Sequence, residues 1–74
     1  MTVEKAVAIN IRERLVRREM TQGQLAIATG MTPTALSARL RGEREFRLSE
    51  LHAISEALGV RLSDLMPDEE AKQR

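Results

Sequence analysis

Residues Thr21–Gly42, TQGQLAIATGMTPTALSARLRG, hold two short apolar-periodic runs separated by one glycine and one Thr-Pro. Thr21 offers an N-cap oxygen, and Gln24 three residues on completes a capping-box pattern, so a helix is predicted from Gln22. Gly30 ends it after Thr29, because glycine enters the left-handed conformation of a tight turn without steric cost. Thr32 caps a second helix with Pro33 at its first position, where a missing N–H is no loss. That helix runs to about Arg41, and Gly42 ends it. A loose linker does not need this punctuation and a single helix lacks the break. The pattern predicts two helices set at a fixed angle.

Outward from this stretch the periodicity stays helical. Val7, Ala8, Ile11 and Leu15 share one face of a preceding helix, about Val3 to Arg18. Ile9, Val16 and Met20 form a weaker second stripe, either packed under a later helix or left for a partner. Downstream, Leu51, Ile54 and Leu58 mark a helix from about Leu48 to Leu58, ended by Gly59. VRLSDLMP gives a last short turn with Leu62, Leu65 and Met66 apolar and Pro67 beyond its end. No strand is predicted. The expected fold is all-α: a compact five-helix domain over residues 1–66 with its motif at 21–42, then a flexible acidic tail at 67–74.

Composition narrows the function. A chain of 74 residues has room for one domain, and 42% hydrophobic with 31% charged residues fits a globular unit. With no cysteine there is neither a disulfide nor a thiolate zinc site, and the single histidine, His52, has no second histidine for a metal site or catalytic dyad. No run approaches the ~18 apolar residues of a membrane span, and MTVEKAVAIN is a poor signal peptide, so a cytoplasmic location without membrane contact is expected. There is no nucleophile–base set and no phosphate loop, which argues against an enzyme and against a bound cofactor. Phe46 is the only aromatic residue, leaving no platform on which splayed single-stranded bases can stack. The net charge of +1 hides an asymmetry: residues 12–47 carry eight Arg against four Glu, whereas residues 48–74 carry a net −3. A basic segment around the motif suits a polyanion.

Two short helices joined through Gly30 and Met31 have the spacing of a DNA-binding helix-turn-helix. Ala26 stands where the two backbones must approach closely, and Leu25, Met31 and Leu36 are the apolar pegs that set the crossing angle. On a helical projection of the second motif helix, Leu36 and Leu40 face the core. Thr34, Ala35, Ala38 and Arg41 face away, with Ser37 and Arg39 on the flanks. Small side chains let a helix sit deep in a major groove. Thr34 can hydrogen-bond a base edge or phosphate, and the methyls of Thr34, Ala35 and Ala38 can touch a thymine methyl. Arg41 is placed for phosphate, and Arg39 for phosphate or a guanine edge unless it pairs with Glu43 four residues on. Arg44 and Arg47, in the following loop, are candidate backbone clamps.

The segment MTQGQLAIATGMTPTALSARLRG, followed by LHAISEALGVRLSDL, resembles the lambda-repressor-like, or Xre/Cro-type, helix-turn-helix family over about Ile11 to Met66. In that family a Thr-Gln pair opens the second helix, the third is the recognition helix, and Leu-Gly-Val joins the last two. Here these are Thr21-Gln22, Thr32–Arg41 and Leu58-Gly59-Val60. Glu19 stands where many members have glycine, and Thr29 and Arg39 where they place apolar side chains. The resemblance implies a phosphate contact for Gln22, at a helix N-terminus that already favours an anion. It puts Pro33, which has no side-chain donor, at a base-reading position, so DNA shape should contribute to recognition. The implied function is that of a sequence-specific double-stranded DNA-binding regulator, a small repressor or Cro-like protein, acting as a homodimer on DNA. The alternative is a protein-interaction module of the same fold, such as an antitoxin with a protein partner. A dimer interface could use Ile9, Val16 and Met20, or the end around Leu62, Leu65 and Met66.

Overall fold

A computed structural model describes residues 1–67, and its helices are α1 (Val3–Arg17), α2 (Gln22–Thr29), α3 (Pro33–Leu40), α4 (Leu48–Leu58) and α5 (Leu62–Leu65). No strand occurs among the described residues. The tail expected over 67–74 lies, from residue 68 onward, outside them.

Each helix begins where an oxygen meets its free N–H groups. Thr2, Thr21 and Thr32 accept through their hydroxyl oxygens from the backbone N–H of Lys5, Gln24 and Ala35 at 3.2, 3.0 and 3.1 Å. Gln24 returns the favour to the Thr21 N–H at 2.8 Å, completing the capping box expected there. At α4 and α5 the N-cap residues are Arg47 and Arg61, which have no side-chain acceptor. Glu50 and Asp64 instead accept from their backbone N–H groups at 2.8 and 3.0 Å.

The helix ends follow one rule. After α1, α2, α3 and α4 the chain turns through a left-handed residue: Glu19, Gly30, Gly42 and Gly59, with φ of 52, 76, 77 and 68°. The residue after each donates its N–H back to the helix: Met20 to Leu15, Met31 to Ala26, Glu43 to Ala38 and Val60 to Ser55, at 2.9–3.1 Å. This is the Schellman closure, and three of the four returning residues, Met20, Met31 and Val60, pack against the core as it prefers. α3 stops at Leu40 because Arg41 is its C-cap.

The core is built from Ile11, Leu25, Leu36, Leu40, Ile54, Leu58 and Leu65, all essentially removed from water. Burying each such side chain is worth about 1.5–3 kcal/mol. α2 packs on α3 and α4, and α1 packs on α3 and α5. The motif pair is therefore held from both sides, α2 by α4 and α3 by α1. Of the second stripe on α1, Met20 is half-buried against the core, whereas Ile9 and Val16 remain in solvent at 42% and 77% exposure. Leu65 is core, Leu62 is half-buried and Met66 is exposed.

Candidate nucleic-acid interface

The motif meets its steric demands. Ala26 is buried to 2% exposure between the helices, Leu25 and Leu36 are fully buried, and Met31 packs against them. Nothing lies within 4 Å of where a Cβ on Gly30 would stand, so glycine is required there by the backbone angle alone. Thr29, where an apolar residue is usual, folds its hydroxyl back onto the carbonyls of Leu25 and Ala26 at 2.8 and 3.3 Å. Its polar atom is thereby satisfied inside α2.

What this leaves exposed is the N-terminal end of α3 and the loop beyond it. Thr32, Pro33 and Thr34 are exposed, as is Gln22 at the start of α2. The Thr32 oxygen is engaged in capping, so Thr34 presents the freer hydroxyl. Ala35, Ser37 and Ala38 are half-buried, which makes the open face narrower than the projection implies.

The arginines divide by environment. Arg41 is exposed, with Nε 2.8 Å and Nη2 3.1 Å from the two carboxylate oxygens of Glu43, and a third nitrogen donates to the Ser37 hydroxyl. These hydrogen bonds, and secondarily the charge attraction, raise the Arg41 pKa and hold the Glu43 carboxyl below its usual value. A lowered carboxylate keeps the pair intact at neutral pH and loses it as pH falls through the lowered pKa, below 4.5. Both groups are solvated, so the pair adds little stability. Its consequence is local: a phosphate must compete with Glu43 for Arg41.

Arg39 does not pair with Glu43, the partner its spacing offers: its side chain is only 14% exposed and its Nε lies 2.9 Å from Glu50 of α4. Its Nη1 donates to the Ala35 carbonyl at 3.1 Å. The reason is tertiary: α4 brings a carboxylate beside α3, and Glu43 is already taken by Arg41. Arg44 and Arg47 are exposed in the α3–α4 loop.

Three anchoring residues escaped the sequence reading. Arg12 of α1 donates from Nε and Nη2 to the Leu40 carbonyl at 3.1 and 2.8 Å, covering the C-terminus of α3. Asn10 donates to the Leu65 carbonyl at 3.0 Å and ties α1 to α5. Glu50 joins α3 to the α4 N-cap. Partners 28 and 55 residues apart for Arg12 and Asn10 leave no local signal. Glu50 did leave one, an acid at the third helical position. Among the described residues no three His, Cys, Asp or Glu side chains gather to hold a metal, and no helix is long and apolar enough to cross a membrane.

Comparison with known proteins agrees with this geometry. A helix-turn-helix family model matches residues 11–65. No sequence among the curated proteins matches the chain. Among solved structures, the hypothetical transcription factor NHTF from Neisseria superposes with a TM-score of 0.85 at 26% identity, covering 97% of this chain and 83% of its own. The clp gene regulator ClgR from Corynebacterium glutamicum gives 0.84 at 26% identity, covering 88% of this chain and 69% of its own. Hydroxypropylphosphonic acid epoxidase from S. wedmorenis gives 0.79 at 30% identity over 89% of this chain, but the match spans only 35% of the epoxidase. The likeness to that enzyme is therefore confined to one part of it. With the family model covering the motif, α4, α5 and the second half of α1, the chain belongs to the lambda-repressor-like helix-turn-helix family of DNA-binding domains.

Proposed function

We propose that this protein is a sequence-specific double-stranded DNA-binding transcription regulator of the small repressor, or Cro-like, type. α3 enters the major groove by its N-terminal end, where Thr34 and the methyls of Ala35 and Ala38 meet base edges. Gln22 and the N-terminus of α2 hold one phosphate, while Arg41, Arg44 and Arg47 hold the backbone on the far side of the helix. Thr32 and Pro33 set the entry of α3, and Pro33 offers shape without a donor. The observation that carries this reading is the exposed, small-residue start of α3, braced from behind by α1 and flanked by exposed cations. A motif with so few base-reading groups gains affinity by binding two half-sites, so the protein acts as a homodimer on DNA, with half-sites about one helical turn apart.

In-vitro selection of randomised duplex DNA by the purified protein tests this. Enrichment of a palindrome with that spacing supports both sequence preference and dimeric binding. DNA retained without enrichment removes the sequence-specific part of the proposal. No retention even at low salt shifts the weight to the protein-interaction reading of the fold.

A further inference from the structure

One carboxylate oxygen links the recognition helix to the loop that carries Arg44 and Arg47. Glu50 Oε1 lies 2.9 Å from Arg39 Nε and also accepts the backbone N–H of Arg47 at 2.8 Å. Both side chains are largely withdrawn from water, at 14% and 17% exposure. The ion pair is nevertheless incomplete. The Arg39 Nε–H does not point along the line to the carboxylate, and this buried nitrogen has no aligned hydrogen-bond partner. A half-buried ion pair recovers its desolvation cost only when its hydrogen bonds are complete. Two apolar side chains would join α3 to α4 at least as well.

The pair does two things that an apolar contact cannot. It withdraws and neutralises a cation near the end of the recognition helix, and it fastens the backbone of Arg47 to the same point. We propose that Glu50 is a positioning residue of the DNA interface. It keeps Arg39 from serving as an unselective phosphate contact and fixes the cationic loop relative to Thr34, so it raises discrimination between DNA sequences. This inference rests on the DNA-binding function proposed above.

The test measures affinity across a salt series for two 20-base-pair duplexes, one carrying the sequence enriched by selection and one unrelated. Wild type is measured first: if it binds neither duplex, the DNA-binding reading falls, and this inference with it. Glu50→Gln removes the charge but keeps an oxygen for the Arg47 N–H. On unrelated DNA its log K against log salt is expected to steepen by about 0.9, the signature of one added phosphate contact. On the enriched duplex, where α3 is seated in the groove and Arg39 stays clear of phosphate, the slope is expected to stay that of wild type. The gain therefore falls on unrelated DNA, and the preference drops. Adding Arg39→Met to Glu50→Gln should return the slope to that of wild type. A folded Glu50→Gln protein with wild-type slope and preference overturns the inference. Arg39→Met alone provides an independent check should Glu50→Gln fail to fold. It should leave the slope unchanged, and a slope shallower by about 0.9 would show that Arg39 already contacts phosphate and overturn the inference.

Discussion

Thr34 and Glu19 show how much a single position decides. Thr34 is exposed at the start of α3 and makes no contact that the fold depends on. Thr34→Arg should leave the domain folded while changing or abolishing its sequence preference, as a repeat of the DNA selection would record. The same consensus in the variant would remove Thr34 from the recognition surface. Glu19 adopts φ 52°, the only non-glycine residue at positive φ among those described. A side chain in that conformation crowds the following carbonyl, a strain of roughly 1–2 kcal/mol that glycine escapes. Glycine also makes the unfolded chain freer, which returns part of the gain. Glu19→Gly is expected to stabilise the protein by about 1 kcal/mol and raise Tm by about 5 °C in a thermal melt. The glycine common in the family at this position thus has a backbone reason. Glu19 is tolerated because the Schellman hydrogen bonds of Glu19 and Met20 hold the turn regardless.

At the scale of elements, α3 is short and depends on its neighbours. Eight residues do not form a stable helix alone. Its start is set by Thr32 and Pro33, its inner face by Leu36 and Leu40, and its end by Gly42 together with Arg12 reaching across from α1. A hydrogen bond from a charged donor contributes about 1.5–3 kcal/mol, and Arg12 presents two N–H groups to one carbonyl. Arg12→Ala should therefore destabilise the domain by about 2 kcal/mol in urea denaturation. Arg12→Lys should recover less than half of that, because an ammonium cannot reproduce the guanidinium fork. Arg12→Ala should also loosen the end of α3 that carries Arg41, and backbone amide exchange at Leu40–Gly42 should quicken accordingly. Unchanged exchange there would mean that Gly42 alone closes the helix.

Across the whole molecule the margin is small. A domain of this length has a stability on the order of 4–11 kcal/mol, and its core is one cluster of buried aliphatic side chains. Leu58 is fully buried in α4, the helix that braces α2. Leu58→Ala should cost about 3 kcal/mol through lost burial and the cavity left behind. In urea the midpoint should fall by a quarter or more with the m-value unchanged. The same economy explains the surface. Ile27 and Val16 stay exposed at 85% and 77% because five short helices enclose only one core.

The fold was legible because its signals are local. Thr-x-x-Gln, Thr-Pro and the turn glycines each act within about one helical turn, and the apolar spacing of α1 and α4 assigns their inner faces before any tertiary contact exists. The outward position of Thr34 and the exposure of Gln22, Arg44 and Arg47 follow from the same local rules. The tertiary structure alone decided which cations are free. The helical projection puts Arg39 on a flank and gives Arg12 no partner, yet α4 brings Glu50 to the first and α3 brings the Leu40 carbonyl to the second. An arginine side chain is long enough to reach a neighbouring helix, so its partner depends on how helices pack. Periodicity along one helix carries no record of that packing.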